Sequence, residues 1–102
     1  MRVASVSIIP SPVGRGSSAT IFVELDAPAP AGGAEVAISA DFHNGSQDNI
    51  NPLVQGIPIP SGTLRGKSTF QIEPNPSNPT NDITFYASTF NSPAQSVTLG
   101  IV

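Results

Sequence analysis

The chain has 102 residues, of which 38 % are hydrophobic and 11 % charged, with a net charge of −3 and no cysteine. This length suits one domain with a modest two-layer core, and the lack of cysteine excludes disulfides, thiolate metal sites and cysteine nucleophiles. Arg2, Arg15, Arg65 and Lys67 are scattered, so there is no basic stripe for nucleic acid, and no apolar run reaches the roughly 18 residues that span a bilayer.

The opening residues Met1-Arg2-Val3-Ala4-Ser5-Val6 lack the apolar core of a signal peptide, so the expectation is either a complete chain, to which the Met1 start leans, or a domain cut from a longer secreted one. Val6 and Ile8 alternate with Ser5 and Ser7, which predicts a first strand ending at Pro10. Ser11-Pro12-Val13-Gly14-Arg15-Gly16 is a turn-rich link. Ala19, Ile21, Val23 and Leu25 then alternate with Thr20, Phe22, Glu24 and Asp26, the cleanest period of two in the chain. Ala27-Pro28-Ala29-Pro30-Ala31-Gly32-Gly33-Ala34 must be a strand-to-strand connection. Its prolines remove backbone donors, and its glycines permit positive φ. Val36, Ile38 and Ala40 resume the alternation.

Asp41 to Asn51 is polar and rich in Asn and Asp, and predicts an exposed loop. Ile57 and Ile59 alternate with Pro58 and Pro60, which confines that strand to an edge or a sheet switch. Ser61-Gly62-Thr63 turns the chain into the strand carrying Ser68, Phe70 and Ile72. Glu73-Pro74-Asn75-Pro76-Ser77-Asn78-Pro79 is an extended connection that cannot be helical. Ile83, Phe85, Ala87 and Thr89 form one face of the next strand, with Thr84, Tyr86, Ser88 and Phe90 opposite. Asn91-Ser92-Pro93 predicts a turn, and Val97, Leu99 and Ile101 a closing strand. About seven short strands with no helical window predict a single all-β domain over residues 1–102, an antiparallel sandwich.

The order of segments resembles the bacterial immunoglobulin-like domains that occur as repeats in surface proteins and in phage virion proteins. The resemblance is carried by Val6-Ser7-Ile8, by Ser18 to Leu25, by Ala29 to Ser39, by Ile57 to Thr63, by Ser68 to Ile72 and by Ile83 to Ser88. It implies an immunoglobulin-like antiparallel β-sandwich and no shared catalytic residues. In the wider immunoglobulin fold a disulfide joins the second and sixth strands. Val23 and Ala87 stand at the comparable positions here, so apolar packing must hold the sheets, and Phe85 replaces the tyrosine often found two residues earlier.

His43 is the only histidine, and no nucleophile motif surrounds any serine, so it reads as an exposed loop residue and the chain as a non-enzyme. Asp41, Asn44, Asp48 and Asn49 offer oxygens to calcium, but their spacing fits a solvated loop with an Asn44-Gly45 turn better, and no cofactor is expected. Asn44-Gly45-Ser46 also matches the glycosylation sequon. Lys67, the sole lysine, points outward by alternation, away from any buried cross-link.

Tyr86, Phe90 and Phe22 are outward aromatics suited to a sugar ring or a partner subunit. The long polar segment Phe42 to Gln55 is the strongest loop candidate. The expected partner-binding residues are therefore Tyr86, Phe90, Phe42, His43 and Asn44. The expected partner is a capsid or other surface assembly, or a surface glycan, and self-association is compatible with this reading. The functional expectation is a structural display module on a virion surface. The alternative is a repeat of a bacterial extracellular adhesin or stalk.

Overall fold

The period of two becomes two antiparallel four-stranded sheets in the computed structural model, which describes residues 2–51, 53–90 and 92–102. Met1, Pro52 and Asn91, the last in the expected Asn91-Ser92-Pro93 turn, lie outside the described residues. The strands are β1 (Val3–Ile9), β2 (Ser18–Leu25), β3 (Ala34–Phe42), β4 (Ile50–Asn51), β5 (Gly56–Ile59), β6 (Arg65–Ile72), β7 (Asp82–Ser88) and β8 (Gln95–Gly100). One sheet has the order β1-β2-β6-β4 and the other β5-β3-β7-β8. The fold is thus an immunoglobulin-like β-sandwich, with the two-residue β4 added to the expected set.

The inward faces are those the alternation marks. Ala19, Ile21, Val23 and Leu25 on β2 are buried, and so are Ile83, Phe85 and Ala87 on β7. Val23 and Ala87 lie within the core between the sheets, and the rings of Phe70 and Phe85 meet at 5.4 Å between centroids, tilted by 33°. Full burial of each such side chain is worth about 1.5–3 kcal/mol. The first strand departs from simple alternation: Val3 is buried at an odd position, Ile8 at an even one. A bulge explains this. The register with β2 shifts between Val3 and Ser5, and the extra residue reverses which parity points inward.

β1 pairs with β2 as far as Ile9, and the chain then changes sheets. Val13 forms a parallel bridge with Ile101, with its N–H donating to Gly100 O at 2.9 Å and its carbonyl accepting from Val102 N–H at 2.9 Å. This first segment is therefore bonded to both sheets.

The connection after β2 also crosses between sheets. Gly33 N–H closes a turn on Pro30 O at 2.9 Å, with φ of 89° at Gly32 and 84° at Gly33. Ala29 is buried, donates to Thr63 O and accepts from Gly62 N–H, each at 2.9 Å, so this corner is tied to the β5–β6 turn. β5 is an edge strand with Pro58 outward, as its prolines require.

The sandwich has two ends. The start of β1, the 26–33 connection, the 60–64 turn and the 89–94 turn share the first end. The 10–17 link, the 43–49 segment, the 73–81 connection and the end of β8 share the second. The molecule measures 42 × 21 × 18 Å.

β5 folds closely over β6, and Gly66 makes this approach possible. A Cβ there would lie 2.8 Å from both Ile57 Cγ2 and Ile59 Cδ1, and 3.1 Å from Pro58 O. Gly66→Ala is expected to destabilise the fold by about 1–3 kcal/mol, as overpacking does, with the loss read as a lower urea midpoint at unchanged m-value.

Candidate functional site

The second end is built from three segments that share one buried amide. Asp41 and Phe42 complete β3. Gly45 N–H then donates to Phe42 O at 2.9 Å, closing a turn through Asn44 at φ 57°. Asn tolerates this left-handed conformation better than most residues. A 3-10 turn (Gln47–Asn49) then leads into β4.

The exposed loop expected from Asp41 to Asn51 is therefore only partly a loop. Its last residues are pinned: Asn49 is fully buried and Ile50 is 3 % exposed, joining the core. The burial of Asn49 is tolerated because its carboxamide is saturated. Nδ2 donates to Ser46 O at 2.7 Å and to Asn78 O at 2.9 Å, while Oδ1 accepts from Thr80 N–H and from Arg15 Nη2, both at 3.1 Å. The Arg15 guanidinium also donates to Glu73 O at 3.1 Å and to Thr80 O at 2.6 Å. It spans the 10–17 link, the 47–49 turn and the 73–80 connection and, among the described residues, makes no ion pair with a carboxylate.

Asp48 ties the same segments from outside. One oxygen accepts from the Ser46 hydroxyl, and the other accepts from Ser77 N–H at 2.9 Å and the Ser77 hydroxyl at 2.8 Å. The Ser46 hydroxyl, then the Ser77 amide and hydroxyl, hold the Asp48 pKa below the ordinary 3.8.

His43 sits in a second polar cluster at the margin of the β5-β3-β7-β8 sheet. Its Nδ1 lies 2.6 Å from Asp82 Oδ1, and its Nε2 lies 3.3 Å from Asp41 Oδ2 and 3.3 Å from Thr84 Oγ1. Alternation marks Asp82 and Thr84 as outward but gives no hint that His43 lies between them. The row of carboxylate, imidazole and hydroxyl has the composition of a hydrolytic relay. Both ring nitrogens face carboxylates, and the Thr84 hydroxyl is shared with Thr98 at 3.1 Å. The cluster acts as a cross-strand bridge between the end of β3 and the start of β7.

Three of the four side chains weighed for calcium have partners within the protein: the Asn49 oxygen faces inward to Arg15 and Thr80, Asp48 accepts from Ser46 and Ser77, and Asp41 lies beside His43. Among the described residues no group of three or more acidic, histidine or cysteine side chains is placed to hold a metal ion.

The expected binding residues are distributed rather than gathered. His43 and Asn44 are exposed at the second end, but Phe42 is half-buried against the core and offers little free surface. Tyr86 stands on the outer face of β7 between Ser39 and Ser96, 40 % exposed. Phe90 is not on that strand face. β7 ends at Ser88, and Phe90 lies in the following turn at the first end, 91 % exposed. Phe22 is on the opposite sheet, across from Lys67, so the three aromatics do not form one patch. Lys67 is exposed, as alternation requires.

Beside the hub, Asp48, Ile50, Asn51, Leu53, Glu73 and Asn75 line an open groove of about 400 Å³. Charge is unevenly placed around it. Asp41, Asp48, Glu73 and Asp82 lie towards the second end with Arg15 as their only cationic neighbour, whereas Arg2, Arg65 and Lys67 accompany Glu24, Asp26 and Glu35 towards the first. The net negative charge thus belongs to the second end.

Comparison with known proteins finds no matching family model, no matching curated protein and no matching solved structure.

Two outcomes follow for the hub. Asn49→Ala leaves buried donors and acceptors unpaired on three segments and is expected to cost about 3 kcal/mol, read by urea unfolding, whereas Asn44→Ala on the exposed turn costs far less. The Asp48 contribution has a defined pH sense. Because its folded pKa is lowered, the contribution is complete above 3.8 and is lost as pH falls through the depressed folded value. The Ser77 amide resonance should move across that acid window in the native protein and stay still in Asp48→Asn.

Proposed function

We propose that this chain is an immunoglobulin-like structural and display module on the outer surface of an assembly, with a phage virion as its setting, and that it meets its partner through the second end. The observation that carries this reading is the inward saturation of that end. Asn49 and Arg15 spend their polar atoms holding three segments together. His43, Asn44, Asp48 and Glu73 are left on the outside of a surface that needs little ordering on contact. A preorganised surface binds without the entropic cost of fixing loops. The resemblance of Ser18 to Leu25 and Ala29 to Ser39 to segments of bacterial immunoglobulin-like repeats supports the same role, in which the fold carries a surface.

A second reading, a spacer or binding repeat of an extracellular adhesin or stalk, is favoured by one feature. β1 begins at the first end and β8 finishes at the second, along the 42 Å axis, so copies joined in series would extend in a line.

The two readings part in one experiment. Labelled protein is sedimented with virions of the phage whose genome encodes it, and its native mass is measured alone. The display reading expects saturable co-sedimentation that His43→Gln with Asn44→Gly reduces, measured at a temperature where both proteins are fully folded. Protein that never sediments with particles overturns it.

A further inference from the structure

We propose that the groove lined by Ile50, Leu53, Asp48 and Glu73 is a docking site for a lysine or arginine side chain of a partner protein. The proposal deepens the reading above, because it names the chemistry that the second end recognises.

The groove has two kinds of lining, and together they select the occupant. Half-buried Leu53 supplies the accessible apolar lining, with Ile50 behind it in the core cluster at 3 % exposed. Asp48 and Glu73 place carboxylates on it, and Asn51 and Asn75 add amides that can accept hydrogen bonds. Lysine and arginine are the side chains that carry an apolar stem and a cationic head, so they can cover apolar surface while the head stays among acceptors. An uncharged sugar would leave the carboxylates unmatched, and a polyanion would be repelled by them.

The charges are available for such a partner. Asp48 is kept ionised by the serines that bond it, and these hydrogen bonds also fix where its carboxylate stands. Among the described residues the Glu73 carboxylate has no hydrogen-bonding or ion-pair partner, although its backbone oxygen is held by Arg15. Arg15 offsets part of this charge but occupies neither carboxylate among the described residues, since its guanidinium is bonded to the backbone oxygens of Glu73 and Thr80 and to the Asn49 amide oxygen. The wider field has the same sign, because the net negative charge lies at this end and draws a cation from a distance.

The test is an NMR titration of the 15N-labelled chain with three capped tripeptides, acetyl-Gly-Lys-Gly-amide, its Arg analogue and its Gln analogue, and separately with calcium chloride. The Lys and Arg peptides should shift the amides of Asp48, Ile50, Leu53 and Asn75 saturably, and the Gln peptide should not. Glu73→Gln should weaken binding roughly threefold, as loss of a partly exposed charge pair does. Leu53→Ser should weaken it as well, and Glu24→Gln, near the other end, should leave it unchanged. Equal shifts with the Gln peptide, shifts centred on Asp41 and Asp82, or calcium saturating the same amides in place of the peptides would each overturn the proposal. If the peptides fail and the protein still sediments with virions, the docking chemistry falls and the display reading stands. If the peptides bind and sedimentation fails, the reverse holds.

Discussion

The second end of this sandwich depends on one carboxamide. Asn49 gives two hydrogen bonds and accepts two, and its partners come from three segments that Arg15 and Asp48 also tie together. Net contributions of single hydrogen bonds are small, near 1 kcal/mol, but a buried group left without its partners costs more than the bond gains. That asymmetry makes the arrangement all-or-none. The Thr80 hydroxyl extends it, lying 2.7 Å from His43 O and 2.8 Å from Asp82 O, so the hub is coupled to the base of the histidine cluster. With no cysteine in the chain, this polar lattice takes the place that a covalent staple has in many small domains.

The two ends are secured differently. At the first, backbone groups of Ala29, Gly62 and Thr63 bond to one another, and the side chains that take part, Asp26 with Arg2 and Thr63 with Pro60 O, are exposed. At the second, buried side chains of Asn49 and Arg15 join the segments alongside backbone bonds such as Ser46 N–H to Asn78 O at 3.0 Å and Glu73 N–H to Asn49 O at 2.9 Å. The first end can therefore vary in side chain at modest cost so long as its prolines and glycines keep the turn. The second end is sensitive to the identity of a few polar residues, even where they are far apart in sequence.

This contrast also explains what could be read from the sequence. β2 and β7 were legible because each has one buried face, and alternation reports burial directly. The role of Pro28 to Gly33 was legible because local backbone constraints dictate it. Val3 was not, since a bulge after it changes the parity that alternation relies on. Asn49 was hidden for a different reason. In a run of polar residues its side chain looks solvated, and its partners Arg15, Asn78 and Thr80 are distant in sequence. Phe90 followed the parity of β7 on paper, but the strand stops at Ser88 and parity has no meaning in the turn beyond. The pairing of His43 with Asp82 depends on strand register, which composition does not carry.

The bridge between Val13 and Ile101 has a mechanical consequence. β1 and β8 run in the same direction along the long axis, and Val13 holds the end of β8 by bonds to Gly100 and Val102. Tension applied between the start of β1 and the end of β8 pulls these two strands past each other lengthwise. The bonds at Val13 and the β1–β2 ladder are then loaded together in shear, rather than opened one at a time as in a hairpin that is peeled apart. A domain wired in this way resists extension along the axis between its two ends with all of those bonds at once.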